Sequence, residues 1–252
     1  MHRFHVDNLG PPEVALPPGE AHHAVHVLRL REGEPVELFD GRGGSATGRV
    51  ASIHRNDVRV AISARVAAGE RPRPRLHLGF AVPKGKRLDW LLEKATELAA
   101  ASLTPVVFER SVAGPKELAG GRRGRWLGHC VSAAKQSGLD WLPELREPLR
   151  LADLLASERP EPGLLGDAGA EARPIAAALA GQRPLNECLL LVGPEGGLTD
   201  GERRECLAAG LTPVRLGRTI LRIETAAVAL LAAGNALAGR EAETSASAGF
   251  DS

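Results

Sequence analysis

The 252-residue chain has no apolar run long enough to cross a bilayer. Its longest uninterrupted stretch, Ala226 to Ala233, falls far short of the ~20 residues a membrane helix needs. No apolar core follows the start Met1-His2-Arg3-Phe4-His5-Val6-Asp7, so no secretory leader is expected there. Cysteine is scarce: Cys130, Cys188 and Cys206 are odd in number and never spaced C-x-x-C, which argues against a disulfide framework and a cysteine-rich zinc site. Internal repeats and a Walker A phosphate loop are missing too. Lysine is rare, 5 residues against 27 arginines. The expectation is a soluble, cytosolic protein that binds no membrane.

What is present is ordinary globular composition, 43% hydrophobic and 25% charged, with length for one or two domains. The net charge of +1 hides an asymmetry. Residues 1–150 hold 23 Lys and Arg against 17 acids, whereas residues 151–252 hold 9 against 14. Arg forks suit phosphates and stacked bases, so a polyanion could meet the first part. Random scatter over an Arg-rich chain reads equally well.

Residues 1–72 read as a small β-barrel. Val36 to Phe39, Gly48 to Ile53 and Asp57 to Ile62 alternate at period two, Asp40-Gly41 is a favoured hairpin turn pair, and His22 to Leu28 suits one short helix. Short strands in so few residues must close or cover their edges. Arg71-Pro72-Arg73-Pro74-Arg75 is a stiff linker. Over residues 73–240 strands and helices alternate, the pattern of an α/β domain with a mostly parallel, helix-covered sheet. Strands are expected at Leu76 to Val82, Thr104 to Phe108, Gly163 to Gly166, Cys188 to Val192 and Pro213 to Leu216. Helices are expected at Arg87 to Ala101, Arg125 to Gln136, Pro174 to Ala180, Asp200 to Ala209 and Glu224 to Leu237. Thr199 to Glu202 is a capping box. Residues 241–252 read as a disordered tail.

Gly41-Arg42-Gly43-Gly44-Ser45-Ala46 formally matches a dinucleotide-binding pattern, but a strand-like segment follows it where that motif requires a helix. A hairpin loop is the better reading, which disfavours a nucleotide-dependent oxidoreductase. The stronger signal is Leu189 to Gly197, where a buried apolar strand empties into Gly193-Pro194-Glu195-Gly196-Gly197 ahead of the capped helix. Glycines at a strand's carboxyl end let backbone groups approach a ligand, although a tight strand-to-helix turn uses them equally well. A second strand end follows at Leu216-Gly217, and Arg222, Glu224 and Thr225 open an Ala-rich helix. Thr225 suits a cap and Glu224 the positive end of the dipole, but Arg222 sits at the wrong end and wants an anionic partner. Two adjacent strand ends with such loops point to a pocket.

Gly193 to Gly197, Leu216-Gly217 and Ile220-Leu221-Arg222-Ile223-Glu224-Thr225-Ala226 resemble two signature segments of the SPOUT-class RNA methyltransferases that make N3-methyluridine in 16S ribosomal RNA. The start Met1 to Val6 resembles the same family, as do Lys84-Gly85-Lys86-Arg87 through Trp90 to Leu98, Pro105 with Arg110-Ser111-Val112, and Ala133 to Gly138 with Pro143. The match runs in order through most of residues 1–235.

The resemblance implies a PUA-like RNA-binding β-barrel joined to an α/β SPOUT domain with a deep trefoil knot. It implies S-adenosylmethionine held by Leu165 and Gly166, by Val192, Gly193, Pro194, Glu195, Gly196 and Gly197, and by Leu216, Gly217, Ile220, Leu221, Arg222, Thr225 and Ala226. It implies a homodimer acting on the small ribosomal subunit. Three departures stand out: Leu139 replaces a usual Arg, Ala99 a usual Gly and Lys135 a common acid.

Methyl transfer to uracil N3 requires loss of the N3 proton, for which Glu195, Glu224 or a water are the candidates. Arg222 suits the uracil carbonyls or a phosphate, unless it forms a salt bridge to Glu224 or Glu195. Arg3, Lys84, Lys86, Arg87, Arg110 and Gln136 are the candidate RNA contacts. His22, His23 and His26 lack an acid or Cys to complete a metal site, and no metal is expected. Two rival readings are an RNA-binding module on an inactive enzyme domain and a SPOUT enzyme for tRNA.

Overall fold

A computed structural model of the chain describes residues 1–55, 57–111, 122–169, 171–180 and 184–247. They form two units, Met1–Arg71 with Val131–Leu142, and Pro72–Cys130 with Pro143–Ser252.

The first unit is built on a five-stranded sheet. Its strands are β1 (His2–His5), β2 (Glu13–Ala15), β3 (Pro35–Phe39), β4 (Ser45–His54) and β5 (Asp57–Val66), in the order β1-β3-β4-β5-β2. Among the described residues only the β1–β3 pair is parallel. Period-two alternation turns Phe4, Val36, Leu38, Val50, Val58 and Val60 inward to one core. The helix expected at His22 to Leu28 is present and begins further upstream. Helix α1 (Pro18–His22) starts on Pro18 and continues into a π-helical turn at His23–Val27, burying Ala21 and Ala24. Asp40 Oδ1 accepts from the amides of Arg42 and Gly44, which folds the Gly41 to Ser45 segment as a hairpin loop between β3 and β4.

Arg3 ties residues 131–142 into this unit. Its guanidinium pairs with Asp140 and, at 3.3 Å, with Glu37; it donates to the carbonyls of Ala134 and Leu139 and lies 4.7 Å above the Phe39 ring. Lys135, where the resembled family commonly has an acid, binds Glu20 at 2.7 Å and sits 5.1 Å over Phe4.

In the second unit every strand pairing is parallel, in the order β11-β13-β10-β12-β6-β7-β8 with β9 also on β7. The strands are β6 (Arg75–Ala81), β7 (Ser102–Val107), β8 (Glu144–Leu145), β9 (Leu149–Arg150), β10 (Gly163–Gly166), β11 (Arg173–Pro174), β12 (Glu187–Val192) and β13 (Thr212–Arg215). The helices are α2 (Lys86–Glu97), α3 (Arg122–Ser137), α4 (Leu151–Ala156), α5 (Ile175–Leu179), α6 (Asp200–Ala208) and α7 (Ile223–Ser247). Helix α3 runs from the second unit into the first, at Val131.

β6, β10 and β12 are almost wholly apolar because helices cover both faces, and α7 packs on β6, β12, α2 and α5. The α2 stripe Leu88, Leu91, Leu92 and Ala95 is buried. The short α4 and the two-residue strands β8, β9 and β11 had no signal in the sequence: they carry too little periodicity and form by pairing. Helix α7 continues to Ser247, seven residues into the segment read as a tail, because Glu241-Ala242-Glu243 are strong helix formers; residues 248–252 lie outside the described residues.

Helix α2 stops at Glu97 rather than near Ala101, and the cause is local. Ala99 takes φ +55° while its amide donates to Thr96 and that of Ala100 to Ala95, closing the helix end with a left-handed residue. A Cβ in that conformation costs about 1–2 kcal/mol. Ala99→Gly is therefore expected to stabilise the protein by about 1 kcal/mol and to raise the unfolding midpoint by about 2–4 °C. Calorimetry on the two proteins checks this, and an unchanged midpoint refutes it.

Candidate functional site

One cavity of about 400 Å³ opens where β10, β12 and β13 end. β12 and β13, expected to be neighbours, are separated by β10: Leu164 pairs with both Leu190 and Thr212. The pocket therefore spans three strand ends, all at the carboxyl edge of the sheet, where open parallel sheets bind ligands.

The walls come from the three segments singled out in the sequence. Leu165 and Gly166 line it from β10, Val192 to Leu198 from β12 and the loop that follows, and Val214 to Gly217 with Thr219 to Leu221, Ile223 and Ala226 from β13 and the passage into α7. Arg222 and Thr225 do not line the cavity. Arg222 is exposed and its carbonyl accepts from the Ala226 amide, so it stands at the cap position one residue before α7. Thr225, expected to cap the helix, lies within its first turn, because the helix already begins at Ile223. Asp167, Ala168 and Arg203 line the cavity as well and carried no pattern in the sequence.

The Gly193 to Leu198 loop is held from several directions. The Gly197 amide donates to the Pro194 carbonyl at 2.9 Å, and Gly197 takes φ +70°, which favours glycine. At Gly193 a Cβ would stand 2.3 Å from Leu198 Cδ1, so a side chain there would have to displace that of Leu198. The predicted capping box is present at α6: the Thr199 side chain accepts from the Glu202 amide, and Glu202 Oε2 accepts from the Thr199 amide. Glu202 is buried and its Oε1 also accepts from the Glu109 amide at 2.7 Å, joining α6 to the end of β7. Arg110 donates to the Gly196 carbonyl at 2.8 Å, and Arg87 pairs with Glu195 at 3.2 Å.

These contacts give several of the basic residues expected at RNA a partner within the protein. Arg87 and Arg110, expected at RNA phosphates, here brace the glycine loop. Arg3, also expected at RNA, keeps only 9% of its side chain exposed and its partners are protein atoms. Lys84, Lys86 and Gln136 are exposed. The salt bridge considered for Arg222 is not formed among the described residues. Glu195 pairs with Arg87, and Glu224 is buried, 7% exposed, with Oε2 unpartnered among the described residues.

A family model for RNA methyltransferase domains matches residues 70–235, and one for RNA methyltransferase PUA domains matches residues 16–63. The chain belongs to this RNA methyltransferase family. Among its relatives, the ribosomal RNA small subunit methyltransferase E of Synechocystis is 31% identical over 226 residues, covering 89% of this chain and 73% of that one. The protein of the same name from Mycobacterium tuberculosis is 34% identical over 251 residues, covering 94% and 92%. Among solved structures, a methyltransferase of Legionella pneumophila with bound SAM is 28% identical, with a TM-score of 0.84 over 93% of this chain and 96% of that one. The methyltransferase E of Neisseria gonorrhoeae bound to S-adenosyl methionine is 28% identical, with a TM-score of 0.81 over 94% and 98%. The mixed α/β unit with its parallel sheet and the PUA-like unit are thus the SPOUT-class architecture of that family.

Two further features of this RNA methyltransferase bear on its chemistry. Among the described residues no three His, Cys, Asp or Glu gather as a metal site, and no helix is long and apolar enough to cross a membrane. All three thiols are buried, and burial pushes Cys130 up to about 11 and Cys188 and Cys206 up to about 12. They therefore stay protonated at neutral pH, and a thiol reagent is expected to label none in the native protein and all three after denaturation. Rapid native labelling, read by mass spectrometry, would refute this.

Proposed function

We propose that this protein is an S-adenosylmethionine-dependent methyltransferase acting on N3 of a uridine in the 16S rRNA of the small ribosomal subunit. The cavity at the ends of β10, β12 and β13 carries the reading, since it is made of the segments that resemble the family's cofactor loops. Its residues fit the group: about 400 Å³ lies in the range of small-molecule pockets, ~300–1,000 Å³. Gly193, Gly196 and Gly197 bring backbone groups to its wall. When bound, S-adenosylmethionine supplies an electrophilic methyl group on a sulfonium.

The chain's part is to orient the uracil and take its N3 proton. Leu165, Gly166, Val192 to Gly197, Leu216, Gly217, Ile220, Leu221 and Ala226 hold the cofactor; Thr225 and Arg222 flank them. Arg222 is exposed beside the mouth, between the lining residues Leu221 and Ile223, and takes the uracil carbonyls or a flanking phosphate. Of the two glutamates Glu195 lines the cavity and Glu224 does not, which favours Glu195 as the proton acceptor. Its half-exposed pair with Arg87 contributes at most about 1 kcal/mol, so arriving RNA can exchange it. Lys84, Lys86 and Gln136 meet the RNA, as do Arg87 and Arg110, which also contact the loop.

The test is to incubate the protein with methyl-labelled S-adenosylmethionine and small subunits from cells lacking the modification. Label in N3-methyluridine supports the reading. Label only in tRNA, or cofactor binding without transfer, overturns it. We further propose a cytoplasmic homodimer, for which light scattering should give about twice 26.6 kDa; a monomer mass refutes the dimer.

A further inference from the structure

Three charged residues that line the cavity, Asp167, Arg203 and Arg215, lie outside the loops resembling the family. Asp167 is the first residue after β10, and its amide donates to the Val214 carbonyl at 2.9 Å, which pins it at the β10–β13 junction. Its carboxylate is oriented from two sides. Oδ1 accepts from the Gly169 amide at 2.9 Å, and Oδ2 accepts from Arg203 Nε at 3.0 Å. Arg203, on α6, is itself held by Glu171 through Nη1 at 2.9 Å, so the guanidinium lies fixed between two carboxylates. Both Asp167 and Arg203 line the cavity, and the Asp167 side chain is 20% exposed.

A carboxylate offers about four acceptor sites on two oxygens. Each Asp167 oxygen spends one on the protein and keeps one, so the group presents two spare acceptors side by side at fixed orientation. Two neighbouring hydroxyls match that pair. Of the other charged cavity residues, Glu195 pairs with Arg87, an exchangeable contact kept for the proton transfer, and Arg215 donates to the Ala172 carbonyl at 2.8 Å. The Arg203 charge offsets only one of the two carboxylates it bridges, so the ammonium of an amino-acid end is the competing donor that the ligand series below separates from the hydroxyls.

We propose that Asp167 is the ribose-reading residue of the cavity, accepting from the two ribose hydroxyls of an adenosine-containing ligand, and that Arg203 is the positioning residue that sets its carboxylate. The proposal rests on the reading of the cavity as the S-adenosylmethionine site.

Calorimetry with S-adenosylhomocysteine, 5′-methylthioadenosine (which lacks the amino-acid end) and its 2′,3′-dideoxy derivative tests it. Asp167→Asn is expected to weaken the first two ligands by the same factor, about 10–100-fold, since a hydrogen bond to a charged group is lost. Wild-type protein should bind the dideoxy ligand correspondingly more weakly than 5′-methylthioadenosine, and the variant, left with one neutral amide oxygen, should distinguish them clearly less. Arg203→Lys should give an intermediate loss with the same ligand pattern. Wild-type affinity for S-adenosylhomocysteine in Asp167→Asn overturns the proposal. So does a loss for S-adenosylhomocysteine without one for 5′-methylthioadenosine, because the carboxylate would then serve the ammonium. If the variant does not fold, equal binding of the dideoxy and parent ligands by wild type overturns it. Failure of wild type to bind either full-ribose ligand would instead remove the cofactor reading of the cavity.

Discussion

Arg222→Ala is expected to lower the rate of methyl transfer by about 10²–10³-fold, the loss typical when a donor aimed at developing negative charge is removed. The affinity for S-adenosylhomocysteine should stay nearly unchanged, because the Arg222 side chain does not line the cavity. Its backbone carbonyl, which accepts from Ala226, survives the substitution, so the start of α7 is retained. Arg222→Lys keeps the charge but not the planar fork and should recover only part of the rate. Single-turnover transfer to undermethylated small subunits, with calorimetry alongside, separates the two effects. A variant that turns over like the parent, or one that loses the cofactor instead, would show that Arg222 does not face the RNA.

Arg3→Ala is expected to be the most destabilising of the substitutions considered, by about 2–4 kcal/mol, the range for stripping the partner from a largely buried ion pair. Asp140 and Glu37 lose their cation together, and the carbonyls of Ala134 and Leu139 lose a donor. The loss should appear in the unit of Met1–Arg71 and Val131–Leu142, where Trp141 packs against Gly43 and reports unfolding by fluorescence. The expectation contrasts with that for a surface phosphate contact, which would weaken RNA binding and leave the melting curve in place. Unchanged unfolding with weaker RNA binding would return Arg3 to the RNA interface.

Local patterns were legible wherever neighbours in sequence act on one another. The Thr199–Glu202 capping box, the Leu88 to Ala95 stripe and the strand Gly163 to Gly166 all stand where periodicity and cap chemistry put them. So do most of the cavity walls, because a strand end followed by glycines needs only contiguous residues to be recognised. Pairings distant in sequence were not legible. The insertion of β10 between β12 and β13 depends on how crossovers thread the sheet, and no residue within those strands records its neighbour's identity. The side-chain half of the pocket is of the same kind: Asp167 and Arg203 stand 36 residues apart and meet because α6 returns across the end of β10.

The sequence by itself determined the longer elements, the class of the sheet and most of the segments that line the cavity, since these follow from side-chain periodicity, turn chemistry and motif. Only the tertiary structure decided what the charged residues do. A guanidinium reads the same in a sequence whether it faces RNA, braces a loop as Arg110 does, or lies buried between carboxylates as Arg3 does. Its role depends on which acceptors the fold brings within about 3 Å, and that distance exists only once the chain has closed on itself.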